Sequence, residues 1–436
     1  MPSTLLTKWH RVFCTGFGPE RRQITRREKD VSGIVVIGAG QAGASLVAKL
    51  RVSGYDRPIT LVGDEPVPPY QRPPLSKAYL LGKIPKDRLF LRPAAFYDDH
   101  AITLKLGTAV SEIDPVLRHV RVGDDLLPYD QLALTTGSIA RQLPVQIGGR
   151  LDGVHCVRSI RDVEAMAPRF ERARHVLIVG GGYIGLEAAA ASAERGLAVT
   201  LVEMGPRILQ RVACAETSDY FRALHTTNGV DIREGVGLVR LYGDDRVRGA
   251  ELTDGTRIDA DFVIVGIGID PEIRLAEAAG IALDNGIATD AFGATSIAGI
   301  WAAGDCVSFP YQGTRLRLES VQNAIDQAEC VAENMLGAGK PYVPHPWFWS
   351  DQYDVKLQIA GLSTGYRQVV VRQPSTGPRS HWYFRDDVLL AVDAINDPRS
   401  FMIAKRALKE GTPIDPVVVA DPSADLKSKI LNKVTP

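Results

Sequence analysis

Short apolar runs recur along the chain, each closed by glycine or an acidic residue. The first, IVVI at residues 34–37, has the length and β-branched content of a strand buried on both faces. It leads into GAGQAGASLVAKL, where the apolar positions change to a helical period. A second run, ITLV at 59–62, is followed by Asp64 and Glu65. The pattern predicts strand, helix, strand. Its turn carries Gly38, Gly40 and Gly43 in the spacing G-x-G-x-x-G. Each glycine has a task in a dinucleotide-binding unit: Gly38 for the tight turn, Gly40 for close approach of a pyrophosphate, Gly43 for helix–strand packing. The phosphates then sit on a helix N-terminus, where free N–H groups and the dipole favour anions, and the acid after the second strand meets a ribose.

The same succession returns in HVLIVGGGYIGLEAAAASAERGLAVTLVEM, with Gly180, Gly182 and Gly185 in the turn and Glu203 closing the second strand. One such motif is weak, since a chain with 41 glycines meets the spacing by chance. Two copies, each between strand and helix and each with a following acid, predict two bound dinucleotides. A carboxylate at Glu203 accepts from a ribose 2′-OH and repels a 2′-phosphate, which favours NADH. Arg207 is the nearby cation that would serve NADPH, unless it caps local structure.

Two further apolar strands, LALTTGS at 132–138 and GIWAAGDC at 299–306, end in Thr-Gly and Gly-Asp. Asp305 reads equally as a helix N-cap or as the acceptor of a flavin's ribityl hydroxyls. The order along the chain favours the second: a first dinucleotide unit, the Thr-Gly strand, a second unit, then the Gly-Asp strand. This implies one bound flavin and one exchanging nicotinamide. Residues 316–336 have helical apolar spacing that starts near Glu319 or Ser320, and Pro271 in GIGIDPEIRL is expected to open a helix. The fold class is α/β, with two Rossmann-like dinucleotide-binding domains and a C-terminal α+β domain rich in runs such as VLLAVDAI. The expected boundaries are 33–148 and 269–342 for the two pieces of the FAD-binding domain, 149–268 for the inserted NAD-binding domain, and 343–436 for the last. Residues 1–32, with RRQITRREKD, form a basic extension without apolar period and are expected to be disordered; docking of an acidic partner is the alternative.

A length of 436 residues requires more than one core. Formal net charge is zero, which gives no global case for nucleic acid or an anionic membrane. No apolar run is long enough for a membrane span. Cys14, Cys156, Cys214, Cys306 and Cys330 are scattered and form no C-x-x-C pair. That spacing suits a reducing cytoplasm and argues against a disulfide framework, a zinc ribbon or a thiol-redox centre.

The four segments above, with YQRPPLSKAYL at 70–80 and PWFWSDQYDVKLQIAGL at 346–362, resemble the oxygenase-coupled NADH–ferredoxin reductases. That group includes putidaredoxin reductase and the ferredoxin reductases of aromatic-ring dioxygenases, and the resemblance covers about 33–425. It implies a glutathione-reductase-like arrangement in which Arg72 and Lys77 both contact FAD. Arg72 suits the pyrophosphate because its fork engages two oxygens. Lys77 would sit beside the flavin ring and pair with Glu187, which receives the nicotinamide carboxamide. The resemblance also places Arg141, Glu319, Val321 and Trp349 at FAD, with Ser350 and Asp351 beside Trp349. Tyr183, in the second glycine motif, could shield the flavin until the nicotinamide arrives.

Ser76 stands where disulfide reductases of similar architecture need a cysteine pair near the flavin. With no thiol exit, a one-electron protein acceptor remains, and the resemblance implies a [2Fe-2S] ferredoxin feeding a haem-thiolate monooxygenase or a ring-hydroxylating dioxygenase. Arg315, Arg317 and Lys356 are candidates for steering it, or ordinary solvated charges. Rubredoxin, monodehydroascorbate or a nitrite-reductase partner are alternative acceptors. A redox-sensing protein like apoptosis-inducing factor, which shares the R-P-P-L-S-K and W-S-D signatures, is the alternative of another class.

Overall fold

A computed structural model of the chain describes residues 32–375 and 377–427. The basic extension, but for Ser32, and Cys14 lie outside the described residues.

The first sheet is built on Gly33–Ile37, a strand buried at all five positions. It pairs in parallel with Ile59–Gly63 and with the far end of Asp125–Leu134, Val36 lying opposite Leu61 and Ala133. The near end of that ten-residue strand leaves the parallel core and pairs antiparallel with His119–Val122. Ile300–Ala302, far along the chain, returns to the same sheet, Ile300 opposite Leu132. The Thr-Gly and Gly-Asp turns therefore emerge side by side at one sheet end.

Between these segments lies a second parallel sheet. Its order is Val230–Glu234, Ala198–Glu203, His175–Val179, Phe262–Val265 and Val154–Cys156. Helices cover one face of this sheet, and the antiparallel strands Leu238–Tyr242, Gly249–Leu252 and Arg257–Asp259 cover the other, so its central strands are buried on both sides and read as apolar runs. The chain leaves and re-enters through two short antiparallel strands, Ser138–Ala140 and Ile269–Pro271. Pro271 corrects the expectation of a helix start: it ends the edge strand opposite Ser138, where its missing N–H is tolerated, and the helix begins at Arg274.

The last sheet, from Trp347–Gln352 to Val388–Ile395, is antiparallel and five-stranded, with the helix Pro398–Glu410 packed on it. One hydrophobic cluster joins all three regions. It contains Tyr70 and Leu75 of the proline-rich loop, Leu186 and Phe262 of the second unit, and Leu357 and Ile395 of the last sheet. That shared core fixes where the proline-rich loop, the second glycine turn and the W-S-D strand meet. Among the described residues no helix is long and apolar enough to cross a membrane.

Candidate cofactor junction

The two glycine turns have one geometry. Gly38 and Gly180 take φ of 110° and 107°, a region closed to most side chains. A Cβ on Gly43 would lie 2.1 Å from the Gly38 carbonyl oxygen, and one on Gly185 would lie 2.0 Å from that of Gly180. A Cβ on Gly40 or Gly182 would meet open space, so at these positions the bare backbone faces outward. Helices Gln41–Val52 and Tyr183–Glu194 start there with no side-chain cap and no acid in the first turn. By contrast, Ser159, Ser320 and Asp397 cap the helices that follow them. Two uncapped N-termini above open glycine surfaces fit two pyrophosphates.

Glu203 accepts the Gly181 N–H at Oε2 and the Gly205 N–H at Oε1, both at 2.7 Å. These bonds aim the carboxylate across the turn and leave lone pairs for a ribose diol. Arg207 is occupied elsewhere: it donates to the carbonyls of Ala213 and Cys214 at 2.8 and 3.1 Å and to Ser218 Oγ at 2.5 Å. It caps local structure. Glu203→Ala is therefore expected to raise the NADH Michaelis constant roughly tenfold or more, from lost charge-assisted bonds of about 1.5–3 kcal/mol. NADPH use should change much less. Michaelis constants for the two donors that rise together would contradict the assignment.

At the first unit, Asp64 is exposed and Glu65 half-buried. Glu65 accepts from Tyr70 Oη at 2.8 Å and from Arg72 Nη2 at 2.9 Å. Arg72 also stacks on the Tyr70 ring and donates to the Arg158 carbonyl at 2.6 Å. Asp305 accepts from Ser138 Oγ at 3.0 Å and lies 3.4 Å from Arg158 Nη2. The segment after Asp305 is the strand Val307–Tyr311, so Asp305 caps no helix. Arg158 was missed by sequence reasoning, although it follows strand Val154–Cys156 by only two residues. Its guanidinium meets Asp305 and its carbonyl accepts from Arg72, which links the two.

Arg141 pairs with Asp270 at 2.8 Å, tying the two crossing strands together. Glu319 is exposed and pairs with Arg317 at 2.5 Å, and Val321 opens the helix Val321–Met335. Arg317, its side chain 12% exposed, is an internal cation. Arg315 donates to the Thr289 carbonyl at 3.0 Å and lies 3.4 Å from Asp284. Arg315 and Lys356 are exposed. Trp349 stacks near Trp347, their centroids 5.5 Å apart. The Tyr183 ring lies 4.9 Å from Phe348, and its buried hydroxyl meets no partner among the described residues.

Lys77 and Glu187 come together from opposite units, Nζ to Oε1 at 3.0 Å. Lys77 follows the turn Pro73–Ser76, and Glu187 lies in helix Tyr183–Glu194. Ser76 Oγ donates to Glu187 Oε2 and Ser350 Oγ to Oε1, both at 2.6 Å. Burial pushes the Glu187 carboxyl above its ordinary range, while Lys77, Ser350 and Ser76 pull it back. Ser76 thus holds the Glu187 carboxylate through its hydroxyl. An open cleft reaches this junction, lined by Lys77, Glu187, Glu194, Asp351 and Tyr353 among others.

Residues 32–328 match the family described as pyridine nucleotide-disulphide oxidoreductase. The chain belongs to this family. Residues 347–430 match a second description, reductase C-terminal. Rhodocoxin reductase of Rhodococcus erythropolis is 43% identical over 402 residues, 91% of this chain and 94% of that protein. The ferredoxin--NAD(+) reductase component of the anthranilate 1,2-dioxygenase system of Burkholderia cepacia is 39% identical over 403 residues, 90% of this chain and 98% of that protein. Among solved structures, the covalent putidaredoxin reductase–putidaredoxin complex superposes with a TM-score of 0.89 at 38% identity, covering 93% of this chain and 99% of that one. Family membership implies a flavin and a nicotinamide dinucleotide, and the two glycine cradles fit both.

A second buried cluster joins the unit of the second parallel sheet to the last sheet. Thr217 Oγ1 donates to Asp393 Oδ2 and meets His381 Nδ1, both at 2.7 Å, with Cys214 Sγ at 3.3 Å. Tyr383 donates to the same Asp393 oxygen. The threonine hydroxyl fills the space among Cys214, His381 and Asp393, so the group is a hydrogen-bonded pin. Burial pushes Asp393 up to about 6 from an ordinary 3.8. Folding therefore takes up a proton in that window, and this group's contribution falls as pH rises through it, by at most about 1.4 kcal/mol per pH unit. His381, lowered by burial to about 4, carries the opposite slope. Comparison with Asp393→Asn isolates the carboxyl. The parent is expected to lose stability relative to the variant as pH rises to about 6 and to level above it. A pH-independent difference in urea midpoint would contradict this.

Proposed function

We propose that this chain is an FAD-dependent oxidoreductase that passes electrons from NADH to a [2Fe-2S] ferredoxin of an oxygenase system. Residues 33–148 and 269–342 form the FAD domain, 149–268 the NADH domain and 343–436 the C-terminal domain. The observation that carries the reading is the Lys77–Glu187 pair, supplied by the two glycine-turn units and held by Ser76 instead of a thiol.

The flavin, when bound, supplies the change from a two-electron donor to one-electron delivery. The protein's own residues do the rest. Gly38, Gly40 and Gly43 hold FAD phosphates, with Asp305 and Arg158 at the ribityl chain, Arg72, held by Glu65, toward the pyrophosphate, and the acidic end of the second strand at the ribose. Gly180, Gly182, Gly185 and Glu203 hold NADH. Lys77 presents positive charge at the flavin ring, and Glu187 orients the nicotinamide carboxamide.

A thiol route finds no support in the described cysteines. Cys214, Cys306 and Cys330 are buried and Cys156 is half-buried. Burial raises all four thiols, Cys156 to about 11, so none is poised as a thiolate. The relatives' printed names, a rhodocoxin reductase and a dioxygenase-system ferredoxin--NAD(+) reductase, support the same acceptor class. Turnover with a panel of oxidised [2Fe-2S] ferredoxins, rubredoxin and monodehydroascorbate tests the choice. Preference for a [2Fe-2S] ferredoxin is expected; preference for either other acceptor would overturn it.

A further inference from the structure

Behind Glu187 lies a run of buried polar side chains that cofactor contact does not require. Ser350 Oγ meets Glu187 Oε1 at 2.6 Å, and Gln352 Nε2 meets Ser350 Oγ at 3.1 Å. Gln352 Oε1 meets His225 Nε2 at 2.8 Å, and His225 Nδ1 meets Tyr353 Oη at 3.3 Å. Ser350, Gln352 and His225 are all at most 1% exposed. They come from two elements, the strand Trp347–Gln352 and the helix Ala215–Thr227, and converge on a third.

The donor inventory fixes the direction of every bond. An ionised Glu187 only accepts, so Ser350 gives it the hydroxyl proton and must accept from the Gln352 amide. The Gln352 carbonyl oxygen only accepts, so His225 carries its proton on Nε2. His225 Nδ1 then accepts from Tyr353. Four hydrogen bonds point one way, toward the carboxylate. The amide in the middle does not readily pass a proton, so the run acts as an aligned set of dipoles and not as a proton wire. Burial lowers His225, which keeps the imidazole neutral and the direction intact.

We propose that Ser350, Gln352 and His225 are positioning residues for the reductive half-reaction: their one-way hydrogen-bond run keeps the buried Glu187 carboxylate ionised and aimed beside Lys77. The proposal rests on the reading of Glu187 as the carboxylate that meets the nicotinamide. The other groups around it are Lys77 and Ser76 from the proline-rich turn, and Tyr183 and Glu194 from its own helix. Asp351 of the strand lies 4.0 Å from Lys77, and Lys83 lines the same cleft. None of these donates to Glu187 except Lys77 and Ser76 among the described bonds. Hydrogen bonds to the charged form favour it, so removing a donor raises the pH at which Glu187 takes up a proton.

The test uses the flavin-loaded protein without NADH. Infrared spectra across pH follow the protonated-carboxyl band, assigned as the one absent from Glu187→Gln. The band is expected to appear at higher pH in Ser350→Ala than in the parent, at an intermediate pH in Gln352→Leu, and at the parental pH in Ser350→Thr, which keeps the hydroxyl. Stopped-flow reduction by NADH at neutral pH should slow about tenfold in Ser350→Ala, the effect of one lost charge-assisted hydrogen bond, less in Gln352→Leu, and recover in Ser350→Thr. A band that appears at one pH in all forms, or that appears in none before unfolding, overturns the proposal. Parental reduction rates in Glu187→Gln would instead overturn the reading on which it rests.

Discussion

Gly43→Ala protein is expected to emerge colourless, while Gly185→Ala protein stays yellow and fails to be bleached by NADH. Each added methyl lands about 2 Å from a carbonyl oxygen of its own glycine turn, the Gly38 oxygen in one case and the Gly180 oxygen in the other. The colliding atom is backbone at both sites, so helix and strand must part to admit it. Parting them moves the helix N-terminus away from the phosphates it is meant to hold. The two lesions fall in different helices, each packed on its own sheet, which makes their consequences separable. Flavin content comes from the visible spectrum of purified protein, and nicotinamide binding from quenching titration with NAD. Reversed phenotypes would mean that the cofactors are assigned to the wrong units.

Lys77→Met is expected to slow flavin reduction by NADH roughly a hundredfold, the scale of losing one aligned electrostatic contact at a reacting centre. It should also destabilise the fold by about 3 kcal/mol, because Glu187 would remain buried without its cation. The Glu187 side chain is 3% exposed and its partner 17%, so solvent cannot replace the lost charge. Glu187 can escape part of that cost by taking up a proton, toward which burial already pushes it. The double variant Lys77→Met with Glu187→Gln should therefore recover most of the stability and none of the rate. Stopped-flow traces and urea midpoints on the three proteins decide. Stability that falls further in the double variant would show that the pair does not oppose a desolvation cost.

Much of this site is legible in the sequence because its parts are local. The glycine turns are read from spacing, since φ near 110° and sub-van-der-Waals approaches leave glycine alone at Gly38 and Gly180. Glu203 is read from its place at a strand end. Asp305 is ambiguous by itself, and the helix-cap reading falls only when the next segment is seen to be the strand Val307–Tyr311, with Ser138 and Arg158 as the partners of the carboxylate. The dipole run to Glu187 has no local signature. Gln352 and His225 lie 127 positions apart, and each resembles an ordinary polar residue in its own element. Their burial comes from tertiary packing of the last sheet on the nicotinamide-type unit. Pro271 shows the converse, a residue whose helix-opening preference yields to a strand pairing imposed by a distant segment.

The most direct measurement is anaerobic titration of the yellow protein with NADH, followed by addition of oxidised [2Fe-2S] ferredoxin or of a low-molecular-weight disulfide. The visible flavin bands should bleach with NADH and return on mixing with the ferredoxin, while the disulfide leaves them bleached. Recovery with the disulfide and none with any ferredoxin would contradict the account.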